Sequence, residues 1–340
     1  MILKSDGSLW ATGLNNFGQL GIDPMVTQMT ATAIEIFPGN VDTVAAGSGH
    51  SIVVKRDGSV WTTGRNTYGQ LGDGTEVDRC SFVQVMLGHA KAATAGAKHS
   101  LVMMEDGKVW ATGLNDYGQL GAGSTPGENR FLPVIDSGAE AVAAGTDHSM
   151  VLKEDGSVWC TGENNHGQLG DGSKESKSSF VQVISTGAKA IALGGYHSMV
   201  LMHNGKIWVT GGNTDGQLGD GSTDDKVDFL PLMFSGAVAI AAGRDHTIAL
   251  KYDGSVWTTG RNNFGQLGDA TREFRDTLGV VFPSGVQAIA AGDYHSMLVK
   301  DDGSLWATGA NGYGELGDGS TYTKHQFVRV LMLHDGAWLA

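Results

Sequence analysis

Residues 141–170 read AVAAGTDHSMVLKEDGSVWCTGENNHGQLG, and they contain a complete set of strand and turn signals. A run of small residues, AVAA, leads through the turn Gly-Thr-Asp into the apolar run HSMVLK. Asp155-Gly156 then gives the strongest short hairpin signal, because both central residues of a type I′ turn need positive φ. The segment SVWCT, the turn ENNHG and the segment FVQV (180–183) follow. The stretch therefore predicts four short antiparallel strands joined by tight turns.

The same unit recurs along the whole chain. Seven tryptophans, at positions 10, 61, 110, 159, 208, 257 and 306, are separated once by 51 residues and then always by 49. Six histidines, at positions 50, 99, 148, 197, 246 and 295, are spaced by 49 throughout. All seven units carry the hairpin dipeptide: Asp6-Gly7, Asp57-Gly58, Asp106-Gly107, Asp155-Gly156, Asn204-Gly205, Asp253-Gly254 and Asp302-Gly303. A fixed period of this length is typical of propellers and solenoids.

The apolar pattern within each unit selects between these two architectures. No unit has an apolar period of 3.6 residues, which excludes a helical solenoid. Strict apolar–polar alternation is absent from SMVL and SVW, as expected of strands covered on both faces. Small sheets that stack face to face can close into a ring. We therefore predict an all-β fold, a seven-bladed β-propeller of four-stranded antiparallel blades that forms one domain over residues 1–340.

The two ends of the chain indicate how the ring closes. The first unit begins in mid-strand at Met1 and lacks the small-residue strand of the other units. The C-terminal segment GAWLA (336–340) resembles that missing strand, as in GAKAIA (187–192). We expect the ring to be closed by the C-terminal strand joining the N-terminal blade. The short join also suggests that the chain is cut from a larger protein.

The charge and apolar content of the chain argue against nucleic acid and membrane as partners. With 36 acidic and 23 basic residues, the net charge is −13 and no Lys/Arg run reverses it locally, which disfavours direct nucleic-acid binding. No apolar run approaches membrane-spanning length, and the N-terminus MILKSDGSLW lacks a signal-peptide pattern. Cys80 and Cys160 do not suggest a disulfide framework, which favours a reducing compartment. We expect a cytoplasmic protein without a membrane partner.

The glycines Gly13, Gly18 and Gly21 match the first half of a phosphate-binding loop, but Gln19-Leu20 replaces the required Lys-Ser/Thr. The same glycine set recurs in every unit, and a protein rarely needs seven identical phosphate sites, so these glycines are interpreted as turn formers. The segment DGSTDD (220–225) lacks the glycine and glutamate positions of a calcium loop. No repeated motif supplies a catalytic group. The sequence therefore predicts no cofactor, no metal site and no enzyme.

The repeated histidines and tryptophans also have structural interpretations. Equivalent side chains of a seven-fold ring are spread apart, whereas a zinc site needs about four ligands at roughly 2–2.3 Å from one point. We expect the histidine side chains to bond backbone groups where the second strand begins. The tryptophans occupy one place on the third strand, which predicts core packing between blades.

The segments AAG-x-x-HS, DG-x-x-W and N-x-x-GQLG closely resemble the repeat of the regulator of chromosome condensation (alpha-tubulin suppressor-like) family. The resemblance covers all seven units and implies a seven-bladed propeller with the AVAAG segment as the inner strand. Members of that family include a guanine-nucleotide exchange factor for a Ran-type small GTPase, a plant UV-B photoreceptor, bacterial inhibitors of β-lactamases and modules of larger signalling proteins.

Two departures from these members narrow the choice. The two positions before each periodic histidine contain no tryptophan, which argues against UV-B sensing. Units of 49 residues leave no room for the basic tail and inserted β-wedge of the chromosomal exchange factor. The resemblance therefore implies a propeller without assigning it one activity.

Strand order places the candidate binding surface. Successive turns of an antiparallel meander alternate between two sides, so the G-x-x-H and N-x-x-G turns share one side and the Asp-Gly hairpins lie on the other. The hairpins are nearly uniform, whereas the first side is rich in tyrosine, arginine and charge, the composition of an interface hot spot. Solvated turn residues that tolerate variation remain an alternative interpretation. The predicted partner-binding face consists of Arg65, Lys98, Asp147, Glu163, Tyr196, Arg244, Asp245, Arg261, Asp293 and Tyr294.

The leading hypothesis is a non-catalytic propeller that binds another protein through this face, as a monomer or as a module of a larger chain. One alternative is guanine-nucleotide exchange on a Ran-type small GTPase, which would then be the partner. A further alternative is inhibition of an enzyme such as a β-lactamase.

Overall fold

The computed structural model describes residues 1–124, 126–232, 234–330 and 338–339. These residues form β-strands and turns without any helix, and the strands pair into seven four-stranded sheets. Within the same ranges no helix is long and apolar enough to cross a membrane. The predicted all-β class and the seven antiparallel four-stranded units are therefore confirmed.

The first sheet combines the two ends of the chain. Its strands are β1 (Ile2–Lys4), β2 (Leu9–Leu14) and β3 (Met29–Phe37), with the C-terminal strand β28 (Trp338–Leu339) beside β1. The predicted completion of the first blade by C-terminal residues is thus confirmed for Trp338 and Leu339. The other members of the predicted segment, Gly336, Ala337 and Ala340, lie outside the described residues.

The next three sheets each contain four consecutive strands. The second sheet consists of β4 (Val41–Ala46), β5 (His50–Lys55), β6 (Val60–Gly64) and β7 (Arg79–Met86). The third consists of β8 (Ala90–Ala95), β9 (His99–Met104), β10 (Val109–Gly113) and β11 (Glu128–Ile135). The fourth consists of β12 (Ala139–Ala144), β13 (His148–Lys153), β14 (Val158–Gly162) and β15 (Lys177–Ile184). The four strands predicted for the opening stretch correspond to β12–β15.

The last three sheets repeat the pattern. The fifth contains β16 (Ala188–Leu193), β17 (His197–Met202), β18 (Ile207–Gly211) and β19 (Lys226–Pro231). The sixth contains β20 (Ala237–Ala242), β21 (His246–Lys251), β22 (Val256–Gly260) and β23 (Arg275–Phe282). The seventh contains β24 (Val286–Ala291), β25 (His295–Lys300), β26 (Leu305–Gly309) and β27 (Lys324–Arg329).

The chain divides into two compact units, each with its own core. The first unit comprises Met1–Thr30, Ile34–Glu163 and Ser176–Thr186, and the second comprises Ala31–Ala33, Asn164–Glu175 and Gly187–Ala340. The assignment of residues 1–340 to one domain stays a prediction. In the second to sixth sheets the second strand has five consecutive buried residues, as in β13. This burial explains why the apolar residues of SMVL do not alternate with polar ones.

Neighbouring sheets of one unit share a core. In the first unit, Leu101 and Val109 of the third sheet pack with Val151 of the fourth. In the second unit, Met199 of the fifth sheet packs with Ala249 of the sixth. Contacts with neighbouring sheets therefore add to the stability of each sheet, as in other repeat folds.

The Asp-Gly hairpins are held by a short chain of side-chain contacts. In the second sheet the Asp57 carboxylate accepts a hydrogen bond from the Ser59 backbone at 2.9 Å, and Trp61 Nε1 donates to Ser59 Oγ at 3.0 Å. Lys55 Nζ covers the Trp61 ring at 4.1 Å, while Trp61 also packs against core residues such as Val53. The predicted core role of this tryptophan thus applies to only part of its surface, because a lysine covers the ring.

The glycines of the GQLG segments form turns. Gly18 and Gly21 have φ of +79° and +78°, a region that L side chains rarely adopt. A Cβ at Gly18 would overlap the backbone of Cys80, and one at Gly21 would overlap the Phe82 ring. Both conformation and packing therefore require glycine, which supports the structural interpretation of the repeated glycine set.

Candidate partner-binding face

The G-x-x-H and N-x-x-G turns lie at one end of each sheet, as the strand order predicts. They are joined by backbone hydrogen bonds of 2.8–2.9 Å, from Leu114 N to Lys98 O, from Glu163 N to Asp147 O and from Arg261 N to Asp245 O. We refer to this end of the sheets as the turn end and to the Asp-Gly end as the hairpin end. All ten residues of the predicted face belong to these two kinds of turn.

Buried side chains that recur in the repeats hold the backbone of the turn end in place. Asn115 Oδ1 accepts a hydrogen bond from Leu120 N at 2.9 Å, and its amide nitrogen donates to Ser124 O at 2.6 Å. Gln119 Oε1 accepts from Tyr117 N at 3.0 Å. Asn115 and Gln119 are completely buried. Because these two residues fix the loop, the positions between and before them are free to carry other side chains outward.

In the second unit, Arg244 lies between two tyrosines. Its guanidinium carbon is 5.9 Å from the ring centres of both Tyr196 and Tyr294, within the range of a cation–π contact. One guanidinium nitrogen donates to the Tyr294 hydroxyl at 3.0 Å. The carboxylate of Asp245 is 3.9 Å from Arg244 Nε and 3.3 Å from an Arg261 nitrogen. Five predicted residues therefore form one cluster, the Arg244 cluster.

Burial changes the electrostatics of the Arg244 cluster. Only 7% of Asp245 is exposed, and desolvation raises its pKa, helped by Asp215 and opposed by Arg244 and Arg261. Desolvation lowers the pKa of Arg244, but the neighbouring Tyr294, Tyr196 and the aspartates outweigh it, so the pKa is raised. Arg244 thus stays charged although it is partly buried, and an electrostatic contact is stronger at a partly buried site than in bulk water.

Further rings extend the Arg244 cluster outward. The His166 ring lies 5.2 Å from the Tyr196 ring, and His166 Nδ1 is 3.0 Å from an Asp225 carboxylate oxygen. On the other side the Phe264 ring meets Tyr294 edge to face at 5.4 Å. Phe264 is 38% exposed. An apolar surface therefore flanks the central arginine.

The first unit contains a separate cation–aromatic cluster. Arg65 lies over the rings of Phe17 and Tyr68, at 5.2 and 5.6 Å, and Lys98 Nζ is 5.3 Å from the Tyr68 ring. Asp147 accepts a hydrogen bond from Gln119 Nε2 at 3.2 Å. Desolvation raises the pKa of Asp147, Lys98 lowers it and Asp116 raises it.

The remaining predicted residues differ in their exposure to solvent. Asp293 is exposed and accepts a backbone hydrogen bond from Arg244 N at 3.1 Å. Glu163 and Asp245 are only 8% and 7% exposed, so they can position their neighbours but present little surface to a partner. The role of all ten residues in partner binding stays a prediction.

The predicted face omits the residue that precedes each GQLG or GELG segment. This position holds an aromatic ring in six of the seven repeats and an aspartate in the fifth. Three of the rings are well exposed, Tyr117 at 41%, Phe264 at 38% and Tyr313 at 51%. The sequence signals this position by its spacing, once 51 residues and then always 49. The positions are Phe17, Tyr68, Tyr117, His166, Asp215, Phe264 and Tyr313.

The repeated histidines contradict one expectation. Four of the side chains bond a hydroxyl of the following sheet instead of a backbone group. His50 Nε2 is 2.9 Å from Ser100 Oγ, and His99 Nε2 is 2.8 Å from Ser149 Oγ. His197 and His246 make the same contact with Thr247 and Ser296. Ser100 Oγ itself donates to Gln70 O at 2.7 Å, so the histidine is the donor to the hydroxyl. The repeat supplies this hydroxyl by placing Ser or Thr after each histidine. Among the described residues no group of His, Cys, Asp or Glu could hold a metal ion.

Models of the regulator of chromosome condensation (RCC1) repeat match most of the chain. The matched residues are 6–54, 57–103, 106–152, 155–201, 204–250 and 253–299. The chain belongs to the regulator of chromosome condensation repeat family. The resemblance inferred from the AAG-x-x-HS, DG-x-x-W and N-x-x-GQLG segments is thus confirmed.

Curated relatives match only short stretches of the chain. The ultraviolet-B receptor UVR8 of Arabidopsis thaliana is 40% identical over 81 residues, which are 23% of this chain and 18% of the receptor. The X-linked retinitis pigmentosa GTPase regulator of Mus musculus is 35% identical over 86 residues, or 25% of this chain and 9% of the regulator. Each match therefore spans less than a fifth of the relative's own length.

Solved structures share the fold along nearly the whole chain. Human WBSCR16 has a TM-score of 0.87 at 23% identity, covering 96% of this chain and 94% of that one. Yeast RCC1 (Prp20), in its structure with Kap60, has a TM-score of 0.87 at 19% identity, covering 98% and 86%. The predicted seven-bladed β-propeller of the regulator of chromosome condensation family is confirmed.

Proposed function

We propose that this chain is a non-catalytic propeller that binds a partner protein through its turn end. The observation that carries the proposal is the Arg244 cluster, in which a partly buried arginine lies between two tyrosines. Arginine and tyrosine are enriched among the residues that contribute most to protein–protein affinity. The exposed rings beside the cluster provide the apolar surround that excludes water from such contacts.

The Arg244 side chain is also held in place before any partner binds. Its guanidinium is fixed by the Tyr294 hydroxyl at 3.0 Å and lies 3.9 Å from the Asp245 carboxylate. An immobilised long side chain costs roughly 0.5–1.5 kcal/mol of entropy on binding, and a preorganised one avoids most of that cost. The cluster is therefore better suited to recognition than a freely rotating surface arginine.

The relatives support a protein as the partner class. Yeast RCC1 (Prp20) was solved bound to Kap60, and a second structure of Prp20p from Saccharomyces cerevisiae describes its binding to Gsp1p and histones. Those interactions belong to those proteins. They support a protein partner for this chain without identifying it.

The proposal is tested by replacing Arg244, Tyr196 and Tyr294 together with alanine. Wild-type chain is used to capture partners from native lysate, and the affinity of each purified partner is then measured for wild type and variant. We expect a loss of at least about tenfold, because truncating a hot-spot residue costs about 2 kcal/mol or more. Unchanged affinity would overturn the assigned surface.

A matched control lies at the hairpin end of the same unit. Tyr252 is 79% exposed, so Tyr252→Ala combined with Lys206→Ala removes an aromatic and a cationic side chain away from the turn end. We expect this control to bind the partner like wild type. Equal losses in control and triple variant would indicate a general surface effect and contradict the proposal.

Nucleotide exchange on a Ran-type GTPase is a second candidate, favoured by the TM-score of 0.85 to Prp20p, whose structure describes binding to Gsp1p. It predicts faster release of labelled GDP from a Ran-type GTPase at substoichiometric amounts of this chain. The triple alanine variant should then lose the acceleration. Unaltered release across a panel of small GTPases would eliminate this candidate.

A further inference from the structure

The second and third repeats present the same tyrosine in different surroundings. Tyr68 and Tyr117 are held alike, since each backbone N–H donates to the glutamine two residues later at 3.0 Å. Tyr68 is covered by two cations of its own chain, Arg65 and Lys98, at 5.6 and 5.3 Å. In the second repeat the tyrosine ring at this position is therefore a contact surface for cationic side chains.

The two positions that hold cations beside Tyr68 hold other residues in the repeat of Tyr117. Arg65 directly precedes the turn asparagine of its repeat, and the corresponding residue of the third repeat is Leu114. Lys98 directly precedes the histidine of the next repeat, and there the corresponding residue is Asp147. The Tyr117 ring is consequently 41% exposed.

Asp147 occupies, relative to Tyr117, the position in the chain that Lys98 occupies relative to Tyr68. Asp147 is half-buried and accepts a hydrogen bond from Gln119 Nε2 at 3.2 Å. Desolvation raises the pKa of Asp147, Lys98 of the same chain lowers it, and the exposed Asp116, next to Tyr117 in the chain, raises it. A cation entering between the ring and these carboxylates would gain a cation–π contact and an ion pair at once.

We propose that Tyr117, Asp147 and Asp116 form a binding site for a lysine or arginine side chain presented by a basic segment of the partner protein. The inference rests on the proposed function and specifies the chemistry of the partner. The site reproduces between two molecules the contact that Lys98 makes with Tyr68 within the chain. The net charge of −13 favours the approach of a basic segment over longer distances.

The test uses a defined probe. A fluorescein-labelled peptide of alternating glycine and arginine, with four arginines, is titrated with the full chain and followed by fluorescence anisotropy. A glycine–lysine peptide and a glycine–glutamate peptide are titrated in the same way. We expect both basic peptides to bind and the acidic peptide not to bind.

Two variants locate the binding. Asp147→Lys places the cation of the second repeat next to Tyr117, so the chain fills its own site and binding should fall by about tenfold or more. Tyr117→Ala removes the ring without changing the charge and should also weaken binding. Glu154→Lys is the matched control, because it makes the same charge reversal at the exposed opposite end of β13. It should leave binding close to wild type.

The outcomes separate this inference from the proposed function. Equal weakening by Asp147→Lys and Glu154→Lys would indicate diffuse attraction and overturn the site, as would binding unaffected by Tyr117→Ala or no binding of either basic peptide. If the Arg244 triple variant loses its partner while Asp147→Lys retains it, the proposed function stands and this site is overturned. Melting temperatures of all variants show whether each remains folded.

Discussion

The hairpin end and the turn end of the sheets are built from one repeat but use their exposed positions differently. At the hairpin end the exposed aspartate is engaged by its own turn, as Asp57 is by Ser59 at 2.9 Å. At the turn end the buried Asn115 and Gln119 fix the loop instead. Repeated residues thus stabilise the fold at both ends, while the outward positions of the turn end carry the more varied side chains.

The largest effect is expected from a glycine of the turn end. Gly118 has φ of +82°, and a Cβ there would overlap the backbone of Ser178 in the neighbouring sheet. Gly118→Ala should lower the free energy of unfolding by about 3–5 kcal/mol, because backbone strain and overlap add. Urea unfolding followed by tryptophan fluorescence measures the change.

A glycine of the hairpin end provides the control for that substitution. Gly303 has φ of +77°, and among the described residues beyond its chain neighbours no atom lies within 4 Å of the place a Cβ would occupy. Gly303→Ala should therefore cost only the left-handed conformation, about 1–2 kcal/mol. Equal losses at Gly118 and Gly303 would contradict the view that the two ends differ in packing.

Acid should destabilise the protein through its buried histidines. Burial lowers the pKa of His50 and His197 to about 4, and of His99 and His246 to about 3, with neighbouring histidines contributing in His99 and His246. The unfolded chain takes up these protons first, near pH 6.5. The unfavourable contribution of the buried histidines is therefore absent at about pH 7.5 and grows as the pH decreases through 6.5 toward 4, since each pKa unit corresponds to about 1.4 kcal/mol.

Urea unfolding at pH 7.5, 6 and 5 measures this dependence. His246→Gln should reduce its slope, although the variant starts from a lower stability because a buried contact with Ser296 is altered. The raised pKa values of Asp147 and Asp245 act in the opposite sense, because protonation relieves their desolvated carboxylates. An unfolding free energy that does not change between pH 7.5 and 5 would contradict the assignment of neutral, buried histidines.

The fold could be predicted from sequence because its determinants are local and repeated seven times. The Asp-Gly or Asn-Gly hairpins, the glycines with positive φ and the tryptophans each recur in every unit, so one unit predicts the next. The prediction that the histidine side chains bond backbone groups was wrong, because the hydroxyl that bonds them belongs to the following sheet, as Ser149 does for His99. Contacts between sheets are not encoded in the pattern of one unit.

The candidate site could be predicted only in part, for the same reason. The turn end was located from strand order, but stacking of Arg244 between Tyr196 and Tyr294 joins successive repeats and needs three-dimensional geometry. Burial of Glu163 likewise depends on packing that a turn sequence does not reveal. The exposed rings before the GQLG segments were visible as a spacing, and their importance emerged from their surroundings.

The smallest effect is expected at a variable position of the turn end. Arg65→Ala removes a partly exposed cation–π contact with Phe17 and Tyr68 and should lower the free energy of unfolding by only about 0.5–1 kcal/mol. Its neighbour Asn66 is completely buried and accepts the Leu71 N–H at 3.0 Å, so Asn66→Ala should cost about 2–3 kcal/mol by leaving that donor unpaired. The two residues are adjacent in the chain, but Asn66 holds the turn together whereas Arg65 forms part of its surface. A loss at Arg65 as large as that at Asn66 would mean that the varied side chains also stabilise the fold, and their variation would then have to be explained by packing instead of recognition.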